Sequence, residues 1–132
     1  MRGEELCALA LEARKGAYCP YSHFAVGAAL LTRGGKVYTG CNIENAAFGP
    51  SVCAERTAIF KAVSEGEREF AAIAICGANA DEEPSVPCPP CGVCRQVMSE
   101  FCDKDFRVIL YGSEGRTKEY TLAELLPLSF AL

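Results

Sequence analysis

Two cysteine-bearing segments constrain this chain more than anything else in it: Cys53-Ala54-Glu55, and Pro87-Cys88-Pro89-Pro90-Cys91-Gly92-Val93-Cys94. Each stands immediately before a stretch of helix-forming composition. A helix N-terminus presents unpaired backbone N–H groups and a partial positive charge, and both favour a thiolate over a thiol. Cysteines on two helix starts can therefore converge on one metal ion, so the fold must bring the two starts together. The nine cysteines are an odd number, which suits a secreted disulfide framework poorly; in a reducing compartment, spaced cysteines point to metal or catalysis. Cys7, Cys19, Cys41, Cys76 and Cys102 sit among apolar residues and read as buried, inert thiols.

In the second segment, Cys88-x-x-Cys91 and Cys91-x-x-Cys94 share one spacing. Pro89 and Pro90 separate the first pair, donate no N–H to a ligand sulfur and push each preceding residue out of the helical region. Gly92 and Val93 separate the second pair and permit a helical first turn, which puts the two sulfurs on one face. Pro90 suits a helix entry. Cys91 and Cys94 are therefore the better pair, with Cys88 a bystander or a weak competitor. Cys53, Cys91 and Cys94 on zinc leave a fourth position for water, as a catalytic site requires.

The competing reading is a closed site of four cysteines, Cys88 included, that staples a small domain. Glu55 weighs against it, because a carboxylate buried beside zinc is costly without a proton-handling task. A solvated helix-face glutamate is the plainer alternative for Glu55. Three thiolates on Zn²⁺ sum to a net negative charge, which weakens the metal as an acidifier of water. Arg56 and Arg95 each adjoin a proposed ligand or base, where guanidinium hydrogen bonds to sulfur would offset that charge. His23, the only histidine, stands before a hairpin and is expected to pack or hydrogen-bond rather than ligate.

Hydrophobic periodicity predicts an amphipathic helix over residues 3–15 closed by Gly16. A hairpin follows, with strands over 24–32 and 37–41 joined by Arg33-Gly34-Gly35-Lys36. Residues 42–52 read as a loop, 54–64 as a helix, 70–76 as a buried strand and 93–101 as a second helix after the proline-rich loop 78–90. Strands at 107–111 and 118–120 and a short helix through Leu126 finish the chain. This order implies an α/β fold with one mixed sheet and helices packed on it. The length suits a single domain spanning residues 1–132.

The net charge of −4, without interleaved basic and aromatic residues, argues against polynucleotide as a partner. No apolar run reaches the roughly 18 to 20 residues of a membrane span, and the acidic start does not resemble a signal peptide. A cytoplasmic protein acting on a small molecule is expected, with no nucleic acid or membrane partner.

Cys53-Ala54-Glu55, followed by Pro90-Cys91-Gly92-Val93-Cys94-Arg95-Gln96, resembles the zinc nucleoside deaminases, in particular the small three-cysteine cytidine deaminases. Tyr21 to Ala29, Asn42 to Ala46, Cys53 to Ala58 and Leu125 to Phe130 also look like family segments in the family's order, so nearly the whole chain is covered. The resemblance implies a three-layer α/β/α fold with one mixed central sheet. It also implies one Zn²⁺ per chain held by Cys53, Cys91 and Cys94, with Glu55 moving the protons. By the same carry-over, Asn42 and Glu44 hydrogen-bond the ribose hydroxyls and Phe24 packs on the pyrimidine. The backbone around Ala54 reads the base amide edge, and Ala46 and Phe48 border the pocket. Many relatives carry Tyr where this chain has Phe48, so that hydroxyl's hydrogen bond is absent. A homotetramer is implied, with Phe130 reaching a neighbour's pocket.

The implied reaction is hydrolytic deamination of cytidine and deoxycytidine to uridine and deoxyuridine plus ammonia, by zinc-activated hydroxide attack at C4, a step of pyrimidine salvage. Glu44 near the sugar should repel a phosphate and so favour free nucleosides. A blasticidin-type nucleoside antibiotic deaminase and a non-catalytic zinc-stapled binding module are the alternatives. Asn42-Ile43-Glu44-Asn45-Ala46 argues for the ordinary nucleoside.

Overall fold

The computed structural model describes residues 1–132. Helix α1 (Gly3–Arg14) precedes a hairpin of β1 (Phe24–Thr32) and β2 (Val37–Cys41). Then come α2 (Ala54–Ser64), β3 (Phe70–Asn79), α3 (Gly92–Phe101), β4 (Arg107–Tyr111), β5 (Thr117–Thr121) and α4 (Leu122–Leu125). The strands form one five-stranded sheet in the order β2-β1-β3-β4-β5. Strands β3 and β4 run parallel and the other neighbours antiparallel, which makes the sheet mixed.

Strands β1 and β3 are central and covered on both faces, so their sequences read as nearly continuous apolar runs rather than as alternation. Their side chains still alternate between two layers. Ala28, Leu30, Ile73 and Ile75 join Ala54, Ala58 and Ile59 of α2 and Cys94 and Met98 of α3 in one buried cluster. Ala29, Leu31, Ala72 and Ala74 pack instead with Leu6, Cys7 and Ala10 of α1. The fold is therefore three-layered, with α1 on one face of the sheet and α2 and α3 together on the other. No helix is long and apolar enough to cross a membrane.

Strand β3 runs past the apolar stretch that ends at Cys76. Gly77, Ala78 and Asn79 pair with Val26, Ala25 and Phe24, so ladder pairing rather than hydropathy carries the strand on. Arg14 at the end of α1 secures this corner. Its guanidinium donates to the carbonyl oxygens of Ala25 (2.9 Å), Ala78 (3.1 Å) and Asn79 (2.7 Å).

Of the five thiols expected to be buried, Cys7 and Cys76 are buried, while Cys19, Cys41 and Cys102 are only half-buried. Apolar neighbours in sequence do not bury a residue that stands in a loop, as Cys19 does, or at the end of a strand or helix, as Cys41 and Cys102 do. Burial pushes the Cys7 and Cys76 thiols up to about 11 and the Cys102 thiol up to about 12, which keeps them protonated and unreactive.

The contact that sets the height of α2 is made at Gly40 on β2. A Cβ there would stand 2.6 Å from Ala58 N and 3.0 Å from Thr57 Cβ. The Thr57 hydroxyl also donates to Cys41 O at 3.0 Å, so the first turns of α2 lie directly against the strand. Gly40→Ala should lower stability by about 1 to 3 kcal/mol through overpacking, measured by denaturant unfolding. An unchanged midpoint and slope would contradict this close approach.

Candidate metal centre and substrate pocket

Cys53 is the N-cap of α2 and Cys91 the N-cap of α3, both with extended backbone. Neither sulfur makes a capping hydrogen bond to its own helix, which leaves both free to face one another. Cys94 lies in the first turn of α3 and is buried. Because α2 and α3 share one face of the sheet, their N-termini meet. The three sulfurs lie within 4.8 Å of one another, and the Cys53 and Cys91 sulfurs are 3.8 Å apart. Tetrahedral zinc with Zn–S bonds of about 2.3 Å requires sulfurs roughly 3.8 Å apart. The donor set thus suits zinc in both chemistry and spacing, and three protein donors leave the fourth tetrahedral position to a non-protein ligand.

Arg56 donates from Nη2 to the Cys53 sulfur at 3.3 Å, while its buried Nε has no partner. The hydrogen bond from Cys94 and then that from Arg56 hold the Cys53 thiol down at about 5, against the burial that opposes them. The same sulfur–sulfur hydrogen bond, with burial, raises Cys94 far above the ordinary thiol range. Arg95 was expected to join Arg56 at the sulfurs and does not. Its Nε donates to Pro90 O (2.8 Å) and its Nη1 to Leu125 O (2.7 Å). The i+1 neighbour of a ligand on a helix leaves at a different angle from the ligand itself, so adjacency in sequence did not deliver contact.

Glu55 is 4% exposed beside this cluster. Burial first, and the negative Cys53 next among the raising influences, push its carboxyl up to about 7. A solvated helix-face glutamate is therefore excluded. Cys88 stands outside the sulfur cluster, half-buried against β3. Its sulfur is 2.9 Å and Phe24 Cε2 3.1 Å from the place a Cβ on Gly77 would take, so the glycine admits both side chains. Burial pushes the Cys88 thiol up to about 11.

A cavity of about 500 Å³ opens onto the cluster and Glu55. Phe24, Asn42, Glu44, Phe48, Ala54 and Arg56 line it, as do Ser22, Val26, Ser51, Val52, Cys88 and Pro89. Phe24, Cys88 and Pro89 divide it from a neighbouring cavity of about 340 Å³. The wall positions of Ser22, Val26 and Cys88 went unread in the sequence. Each had a signal, Ser22 and Val26 in the family segment Tyr21 to Ala29 and Cys88 in the overlapping spacing.

Glu44 Oε1 accepts from Tyr21 N at 3.0 Å and Ser22 N at 3.1 Å, which fixes the carboxylate in the wall. Hydrogen bonding, from the Ser22 hydroxyl first, holds it below the usual carboxylate range. Asn42 is committed at both ends of its amide: Nδ2 donates to Phe24 O at 2.7 Å, and Oδ1 accepts from Val26 N at 2.8 Å. It therefore holds the strand that carries Phe24 and keeps one further N–H to offer. Phe48 is exposed and meets Tyr21 edge-on, ring centroids 5.9 Å apart. Ala46 is exposed and does not line the cavity. Phe130 is exposed on the tail, where its carbonyl accepts from Gln96 Nε2 at 3.3 Å, outside this chain's own cavity. His23 is exposed, away from the sulfurs. Its backbone N–H donates to Cys19 O at 2.9 Å, and its carbonyl accepts from Ala80 N at 2.8 Å.

Residues 1–110 match the family model described as the cytidine and deoxycytidylate deaminase zinc-binding region. The chain is 53% identical over 121 residues to the cytidine deaminase of Halalkalibacterium halodurans, covering 92% of this chain and 88% of that one. It superposes on the crystal structure of cytidine deaminase from Burkholderia pseudomallei with a TM-score of 0.90 at 47% identity, covering 98% of this chain and 100% of that one. Similarity to the blasticidin-S deaminase of Bacillus cereus is lower, 35% over 108 residues, covering 80% of this chain and 76% of that one.

Cys91→Ser and Cys94→Ser should each lose most bound zinc, while Cys88→Ser keeps about one zinc per chain, read by metal analysis of the purified proteins. Loss of zinc from the Cys88 variant, or its retention in either of the other two, would reverse the assignment of the donors.

Proposed function

The chain belongs to the cytidine and deoxycytidylate deaminase family, and from that premise we propose that it hydrolyses the C4 amine of free cytidine and deoxycytidine, as one domain spanning residues 1–132. The products are uridine or deoxyuridine and ammonia. The observation that carries this reading is a carboxyl group, 4% exposed, beside three converging sulfurs at a cavity of nucleoside size. Cys53, Cys91 and Cys94 would hold one zinc ion per chain, which when bound supplies Lewis-acid activation of water.

Glu55 accepts a proton from the attacking water and delivers it to N3 of the base, then takes the remaining proton from the new C4 hydroxyl and passes it to the departing amine, so that the C4 carbonyl forms, ammonia leaves and Glu55 ends ionised as it began. Burial, by raising its carboxyl to about 7, lets it hold or release a proton near neutral pH. The Arg56 guanidinium on the Cys53 sulfur withdraws charge from a donor set that is otherwise too negative to polarise water well. Phe24 supplies an apolar face for the pyrimidine, and the backbone at Ala54 reads the base amide edge. Glu44 and the remaining Asn42 N–H take the ribose hydroxyls. The fixed Glu44 carboxylate opposes a phosphate on the sugar, which favours nucleosides over nucleotides.

The exposed apolar side chains Phe48, Val93, Leu128 and Phe130 support assembly as a homotetramer, in which a neighbour's Phe130 borders the pocket. All nine thiols are free, which supports a reducing, cytoplasmic compartment.

Ammonia release from the zinc-loaded protein, followed with cytidine, deoxycytidine, cytidine monophosphate, blasticidin S and a cytosine oligonucleotide, tests the assignment. The two nucleosides should turn over fastest; preference for the antibiotic or the oligonucleotide would displace this reading. Glu55→Ala should keep its zinc and lose roughly 10² to 10⁴-fold in turnover, and normal turnover in that variant would remove Glu55 from its role. Arg56→Gln should keep zinc but turn over about tenfold more slowly; an unchanged rate would show that the sulfur needs no such partner.

A further inference from the structure

Arg95 adjoins Cys94 in the first turn of α3, yet its side chain leaves the sulfur cluster and closes on two backbone carbonyls, Pro90 O at 2.8 Å and Leu125 O at 2.7 Å. The first belongs to the peptide immediately before Cys91. The Arg95 backbone N–H also donates to Cys91 O at 3.0 Å, in the peptide immediately after it. Peptide units are planar, so gripping one atom of each unit orients the whole of it. Both planes that flank Cys91 are thus held by one residue, and together they set the φ of −70° and ψ of 169° with which Cys91 enters α3.

Cys91 needs this more than the other two cysteines do. Cys94 is buried within α3, and Cys53 is half-buried with its sulfur on Arg56. Cys91 is exposed, at the end of a loop whose last two residues, Pro89 and Pro90, have no N–H with which to fasten themselves. The Pro90 carbonyl is the handle that remains there, and Arg95 takes it.

The second carbonyl supplies the support. Leu125 ends α4, and the carbonyls at a helix end lack intrahelical partners. The start of that helix is fixed by a reciprocal capping box, with Glu124 N donating to Thr121 Oγ1 at 3.2 Å and Thr121 N to Glu124 Oε1 at 2.8 Å. A guanidinium is a rigid planar fork, so two carbonyls on its arms are held in fixed relation. We infer that Arg95 is a positioning residue that braces Cys91 against α4, so that retention of the metal depends on a side chain that touches none of the three sulfurs. This rests on Cys53, Cys91 and Cys94 being the ligands.

The test compares zinc-loaded parent, Arg95→Gln, Arg95→Lys and, as a control, Arg107→Gln, which breaks the exposed pair with Glu119 on β4 and β5. Two readouts are taken: the rate at which zinc passes to an excess of a coloured chelator, and the unfolding midpoint with and without zinc. Arg95→Gln should release zinc about 10- to 100-fold faster than the parent and show a smaller zinc-dependent rise in midpoint. Arg95→Lys, whose single ammonium replaces the fork, should fall between, and Arg107→Gln should release zinc like the parent. A merely structural Arg95 would lower both midpoints together and leave release unchanged; parental release from Arg95→Gln therefore overturns this inference alone. If Arg95→Gln does not fold, Arg95→Lys decides by the same criterion. A parent that takes up no zinc overturns the ligand set, and this inference with it.

Discussion

Three sulfurs held within 4.8 Å of one another are the constraint from which the rest of the site follows. Two like unit charges about 4 Å apart repel by about 4 kcal/mol at an effective dielectric of ~20. Three thiolates at this spacing therefore need compensation. The chain provides part of it, through helix N-termini at Cys53 and Cys91 and the Arg56 guanidinium on the Cys53 sulfur. The opposite shifts of Cys53, down to about 5, and Cys94, upward, follow from one sulfur–sulfur hydrogen bond, in which Cys94 keeps its proton and gives it to a single anion at Cys53. A divalent cation is the remaining compensation, and the sulfur spacing suits it.

The fold exists around that meeting point as two helices whose starts must stay in contact. Small residues do much of the work: Gly40 lets α2 lie against β2, and Gly77 lets Phe24 and Cys88 close the pocket wall. The arginines act over longer range by tying carbonyls. Arg14 secures the paired ends of β1 and β3, and Arg95 secures both sides of Cys91. The loop between β3 and α3 is thus gripped at its entry and at its exit.

Much of this was legible in the residues before any coordinates. Prolines 89 and 90 separated Cys88 from the cluster because they lack N–H groups, and the i, i+3 spacing of Cys91 and Cys94 put two sulfurs on one helix face. The hairpin could be read from its turn and the three layers from the family resemblance. Other features could not be read, because they depend on where distant elements come to rest. Strand β3 was lengthened by pairing with the start of β1. Arg95 was drawn off the sulfurs by a carbonyl thirty positions away at Leu125. Cys88 became pocket wall because Gly77, on a different element, left room beneath it. Asn42 proved to be half occupied in holding β1, a task no local pattern announces.

The proposed chemistry depends on the number of sulfur atoms around the metal. X-ray absorption fine structure at the zinc edge counts them directly in solution. It should find three sulfurs at about 2.3 Å and one lighter oxygen or nitrogen neighbour at about 2.0 Å. A shell of four sulfurs with no lighter atom would make the site a closed structural staple and contradict the account.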